Sequence, residues 1–93
     1  MEEKRIEQAL TKTVKARGGW CLKFVSPSMN GMPDRLCLFP DGKAGFVEVK
    51  APGRKPTPLQ QTRHKQLRTL GFRVFVLDDM SQIGGVVNAL SGT

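Results

Sequence analysis

Glu48 and Lys50 stand in the stretch GFVEVKAPG (residues 45–53) at positions where the flanking residues call for apolar side chains. A strand turns successive side chains to opposite faces, so Phe46, Glu48 and Lys50 share one face while Val47 and Val49 share the other. An exposed pair of opposite charges contributes less than about 1 kcal/mol and by itself implies only a solvated strand face. Asp34 changes the reading. If Pro40-Asp41-Gly42 forms a three-residue hairpin loop, Phe39 pairs with Lys43, and counting back along both strands sets Asp34 opposite Glu48. Side chains facing each other in this way have Cβ atoms roughly 5 Å apart, and two carboxylates there repel. A cation between them removes the repulsion. Two carboxylates at this spacing are an ordinary ligand set for Mg²⁺ or Mn²⁺, with Lys50 one pleat along as partial compensation.

The elements that must position these groups are readable from pattern. Ile6, Leu10 and Val14, with Ala9 beside them, form a helical stripe over Glu3 to Arg17, stopped by Gly18-Gly19. Trp20 to Val25 reads as a short strand, and SPSMNGMP as a polar loop punctuated by Pro and Gly. Arg35 to Phe39 and Ala44 to Lys50 are two further strands around the turn, in which Pro40 presets φ and Gly42 takes the left-handed position. After APGRKP, a helix starts at Thr57-Pro58 and stops at Gly71, its narrow apolar side formed by Leu59, Leu67 and Leu70. FRVFVL (72–77) reads as an apolar strand buried on both faces, and SQIGGVVNALSG (81–92) as a last helix through Ile83, Val86, Val87 and Leu90. The order α-β-β-β-α-β-α implies an α/β fold, a central mixed sheet flanked by helices.

Ninety-three residues suit one domain over 1–93. Fifteen Lys plus Arg against eight Asp plus Glu leave a net charge of +7, which suits a polyanionic partner such as nucleic acid. No apolar run approaches a membrane span of roughly 20 residues, and MEEKRIEQ is no secretory leader, so a cytoplasmic protein without a membrane partner is expected. Cys21 and Cys37 lie far apart in sequence, with no metal-binding spacing; neither structural zinc nor, in a reducing cell, a disulfide is expected, and both read as small core residues.

These residues carry a resemblance. Gly31-Met32-Pro33-Asp34 followed by Glu48-Val49-Lys50 is similar to the split signature of the PD-(D/E)xK nucleases. With Glu7 on the first helix and Thr57-Pro58-Leu59-Gln60 opening the next, the chain resembles the virus-type replication-repair nuclease (VRR-NUC) family, small nucleases found alone in phages and as modules of larger repair proteins. The likeness spans about residues 3 to 78. It implies a restriction-endonuclease-like α-β-β-β-α-β core, to which the apolar pattern of residues 81–92 adds a C-terminal helix. It also implies a metal-dependent endodeoxyribonuclease in which Asp34, Glu48 and the Val49 backbone carbonyl hold Mg²⁺ or Mn²⁺. Glu7 would act on the metal through water, Lys50 on the attacking water or the phosphate, and Gln60 at the site. No small-molecule cofactor is implied.

Several residues keep two readings. Gln60 also completes a Thr57-x-x-Gln60 capping box, which would turn it to the helix backbone. Glu7 is equally a solvated helix carboxylate. Arg54, Lys55, Arg63, Lys65 and Arg68 are either a solvated face or a phosphate-contacting surface; the charge balance favours the latter. His64, alone among polar helix residues, reads as solvated, and Trp20 and Phe24 as core. The expected function is cleavage of branched DNA, such as four-way (Holliday) junctions, by a homodimer in replication or repair. FRVFVL and the last helix are the candidate interface. The alternatives are a basic nucleic-acid-binding module without turnover and the same chemistry acting on RNA, since no residue distinguishes a 2′-hydroxyl from its absence.

Overall fold

A computed structural model describes residues 2–92; Met1 and Thr93, the ends of the expected 1–93 span, lie outside the described residues. Helix α1 (Glu2–Ala16) is followed by strands β1 (Trp20–Lys23), β2 (Arg35–Phe39) and β3 (Lys43–Val49), helix α2 (Pro58–Thr69), strand β4 (Val74–Leu77) and helix α3 (Ile83–Ser91). The strands lie side by side in chain order, β1, β2 and β3 antiparallel and β4 parallel to β3. The fold is therefore α/β, a four-stranded mixed sheet with three helices including a C-terminal one. No helix among the described residues is long and apolar enough to cross a membrane.

The pleat divides the sheet between two cores. Odd-numbered strand residues Cys37, Phe39, Val47, Val49 and Leu77 pack against Ile6, Leu10 and Val14 of α1 and the stripe Ile83, Val86, Val87 and Leu90 of α3. Even-numbered Phe46 and Val74 pack with Leu67 of α2, joined by Phe24, Met32 and Leu36. Helix α1 ends as the paired glycines require: Gly18, at φ +78°, donates its N–H to the Lys15 carbonyl, and Gly19 donates to that of Val14.

The hairpin register is the expected one, Phe39 opposite Lys43 and Arg35 opposite Val47. Its turn differs in one detail: Asp41 as well as Gly42 is left-handed, at φ 68° and 72°. A short polar side chain tolerates that conformation better than most.

Other expectations are corrected. Trp20 is 67% exposed, because it lies at the start of an edge strand beyond the reach of α2, while Phe24 does pack against Phe46. The inner side of α2 is His64, over Glu48, and Leu67, over Phe46 and Val74; Leu59 and Leu70, in the first turn and at the C-cap of the helix, are exposed. Strand β4 is shorter than FRVFVL and half-buried at its centre, being an edge strand. The α3 stripe and β4 complete the protein's own core and leave little for an interface.

Gly19 shows how closely α1 and the hairpin approach: a Cβ there would overlap the Leu38 carbonyl oxygen, a backbone atom with no room to rotate away. Gly19→Ala should therefore lower stability by about 1–3 kcal/mol, read as a fall in the urea midpoint. Gly84→Ala, with open space around the added methyl, should not.

Candidate active site

The candidate site lies where β3 ends and β2 begins. Asp34, half-buried at the entrance to β2, accepts the Val49 N–H on Oδ1 at 3.1 Å, so the register seats its carboxylate against the main chain of the Glu-Val-Lys segment. Glu48 is only 3% exposed, and its Oε1 lies 3.4 Å from Nε2 of His64. Glu3 and Glu7 arrive from the opening turns of α1. One carboxylate oxygen from each of Glu3, Glu7 and Asp34 lies within 4.8 Å of the others, and Glu7 is also 3.4 Å from the Arg35 guanidinium. Lys50 follows β3 directly, its N–H bonded to the Leu77 carbonyl at 2.9 Å, and its charge acts on both Glu48 and His64.

Crowded, buried carboxyls hold their protons. Burial, then the charge of Asp34, pushes Glu48 from the ordinary 4.5 to about 7, with Lys50 acting the other way. Burial also raises Asp34, against the hydrogen bond from Val49. His64 is lowered by burial and by the positive charges of Arg68 and Lys50, which favours a neutral imidazole beside Glu48. The donor set is all oxygen, and Asp34 and Glu48 repel each other unless a cation or a proton intervenes. These residues fit a hard divalent cation.

The structure brings Asp34, Glu48, the Val49 main chain, Lys50 and Glu7 to one place. Gln60 is engaged at the helix start: its Oε1 accepts the Thr57 N–H at 2.9 Å while Thr57 Oγ1 accepts the Gln60 N–H at 3.2 Å, so only its amide Nε2 is left for the site. The basic group divides. Arg63 bonds the Asn30 carbonyl and Gln66, pinning the loop before Asp34 onto α2, and Arg68 bonds the Val74 carbonyl at 2.7 Å. Lys55, Lys65 and Arg68 border a hollow of about 740 Å³ that His64 also lines, and Arg54 is exposed in the loop before α2.

Two site residues escaped the sequence reading. His64 is 2% exposed rather than solvated; its signal is position, one turn from Gln60 and one turn before Leu67 on a single helix face. Glu3 lies one turn before Glu7, and like charges at that spacing carry a cost of their own, the same signal that Asp34 and Glu48 give.

No family model matches the chain. Among solved structures it is similar to one titled "VRR_NUC domain", with a TM-score of 0.89 and 31% identity over 95% of this chain and 96% of that one. The α/β sheet with its three helices is thus a VRR-NUC fold. A phage protein, "Putative nuclease p44" of Acyrthosiphon pisum secondary endosymbiont phage 1, is 50% identical over 90 residues, 95% of this chain and 97% of that one. The chain belongs to the VRR-NUC family.

The raised Glu48 has a measurable consequence. A carboxyl bound to its proton more tightly in the folded than in the unfolded state favours folding fully below about 4.5, and that contribution is lost as pH rises through about 7. His64, lowered on folding, runs oppositely: its contribution is present above 6.5 and is lost as pH falls. Glu48→Gln should therefore gain stability relative to the metal-free wild type as pH rises from about 5 to about 8, measured as the difference in Tm. A difference independent of pH would contradict the assignment. For Gln60, the cap predicts that Gln60→Ala loses about 1 kcal/mol of stability; a loss of turnover well beyond that loss would show the amide also serving the site. Gln60→Glu, which keeps the cap, is the control.

Proposed function

We propose that the chain is a Mg²⁺- or Mn²⁺-dependent endonuclease hydrolysing DNA phosphodiester bonds, selective for branched DNA such as four-way junctions, and active in replication or repair as a homodimer. The supporting observation is the meeting of Asp34, Glu48 and Lys50 at one end of the sheet, beside a hollow bordered by Lys55, Lys65 and Arg68.

Asp34, Glu48 and the Val49 carbonyl would hold the ion, with Glu7 acting through water and Glu3 adding charge. A divalent ion bound there would supply an activated water and polarise the phosphate. The side chains do the rest. The Val49 N–H fixes one oxygen of Asp34, and His64 holds one oxygen of Glu48. Lys50, close enough to act on Glu48, has the charge to orient the attacking water or to offset negative charge building on the phosphoryl oxygens. Burial of Glu48 and His64 keeps bulk water from their side of the site. Arg54, Lys55, Lys65 and the free parts of Arg63 and Arg68 would hold the strand by its phosphates.

Selection by shape follows from the small surface and the absence of a dedicated base-reading element among the described residues. Two strands related by the two-fold symmetry of a junction call for two sites related the same way. The exposed Trp20 and Leu22, on the edge strand β1, offer apolar surface for such a dimer. The second reading, a binding module without turnover, draws on the same basic hollow.

Lys50→Ala separates the two readings: it should keep the fold and DNA binding while lowering cleavage by on the order of 10²-fold or more. Wild-type turnover in that variant would remove the mechanism, and DNA binding indifferent to divalent metal, with no cleavage, would favour the module. Ca²⁺ should support binding without cleavage, because its looser shell positions water poorly. Light scattering beside a junction assay with each strand labelled in turn tests the dimer; a monomer that nicks one strand would refute it.

A further inference from the structure

Cys21 and Cys37, distant in sequence, face each other across β1 and β2. The phase of the ladder fixes what kind of pair they are. Phe24 donates its N–H to the Asp34 carbonyl, directly opposite, so by alternation 24/34 and 22/36 are hydrogen-bonded pairs, while 23/35 and 21/37 are not. In such a pair the Cα atoms approach to about 4.5 Å, within the span a disulfide bridges. The two Sγ atoms are 3.9 Å apart, and both cysteines are free.

The partners are unequal. Cys37 is fully buried in the core between the sheet, α1 and α3, whereas Cys21 is only half-buried, on the edge strand. Solvent oxidants therefore meet Cys21 first. The Cys37 thiol, then the Thr11 hydroxyl and Arg35, bring the Cys21 thiol down to about 6 against the effect of burial, while the same bond from Cys21 and burial push Cys37 up. One thiol is thus prepared as a nucleophile and the other held in reserve.

We propose that Cys21 and Cys37 are an oxidation site, in which a hydroperoxide converts the pair to a reversible cross-strand disulfide that clips β1 to β2. In the first step the Cys21 sulfur attacks the peroxide, an S–O bond forms, the O–O bond breaks, and the departing oxygen leaves with a proton as alcohol or water. Cys21, oxidised by two electrons, is then a sulfenic acid. In the second step the Cys37 sulfur attacks that of Cys21; the S–S bond forms, the S–O bond breaks, and hydroxide leaves with the Cys37 proton as water. Two thiols and one hydroperoxide give one disulfide, one alcohol or water, and one further water. The closed loop runs from Leu22 to Leu36 and contains Asp34, so the bond holds the strand flanks of the segment that delivers the first site carboxylate. Arg35, which bonds Glu7, lies within this loop.

The test is titration of the whole protein with hydrogen peroxide, followed by intact mass, thiol counting and thermal melting. The expected product has lost the mass of two hydrogens and both thiols together, keeps the hydrodynamic size of the untreated protein, melts on the order of 10 °C higher, and returns to the starting state with dithiothreitol. Cys37→Ala should leave Cys21 as a sulfenic acid that dimedone captures, and Cys21→Ser should leave Cys37 unoxidised. Retention of both thiols, gain of oxygen atoms on wild-type Cys21 with Cys37 still free, or a bridge only between two chains would overturn the proposal. The wild-type mass decides the matter even if a variant fails to fold.

Discussion

Everything at the candidate site depends on the register of one hairpin. Phe39 faces Lys43 because the turn at Pro40-Asp41-Gly42 has three residues, and from that pairing alone Asp34 arrives beside Val49 and Glu48. A slip of one residue would exchange the faces of the strand. Glu48 and Lys50 would then point into the core of α1 and α3, and Val47 and Val49 toward α2. The register is held from both sides: by the packing of Val47 and Val49 under α1 and α3, and by Phe46 against Leu67 and Val74. The apolar residues between the charges thus protect the chemistry by making its alternatives costly.

The site opposes the stability of the fold that carries it. Four carboxylates, Glu3, Glu7, Asp34 and Glu48, gather where a sheet end, a helix start and a buried imidazole meet, and no hydrophobic reason places them there. Arg35 and Lys50 relieve part of the repulsion; burial first, and then the charge of Asp34, still raise Glu48. Such a cluster is understandable as a place kept ready for positive charge, stable in the company of a ligand and less so without one.

Much of this was legible in the sequence, for physical reasons. Period-two and period-3.6 patterns marked the elements, since half-buried strands and helices cannot hide them, and the Pro-Asp-Gly turn carried enough conformational restriction to fix the pairing. What stayed hidden depends on which faces meet. Nothing local says that α2 lies over Glu48, so His64 read as solvated and Leu70 as core, when the structure has them the other way round. Trp20 read as core because aromatic strand residues usually are; an edge position that α2 does not reach leaves it open. The Cys21–Cys37 pairing needed the β1–β2 register, which crosses a long loop with no turn signal strong enough to set it. For Gln60 both readings were visible, and the structure forms the cap.

The two faces of the sheet are unequally sealed, and this bears on how the molecule breathes. On one side α1 and α3 interlock through seven buried side chains, Ile6, Leu10, Val14, Ile83, Val86, Val87 and Leu90. On the other, α2 rests on Leu67 and His64, with Arg63 and Arg68 as polar tethers. Local opening draws on the weakest cooperative unit. Amide hydrogens of α2 should therefore exchange with solvent well before those of β3 and α1, and the molecule is built as a rigid half carrying the carboxylates and a yielding half carrying Gln60, His64 and the bases Lys65 and Arg68. A strand of nucleic acid laid across the hollow would meet a floor that gives way and an acidic wall that does not.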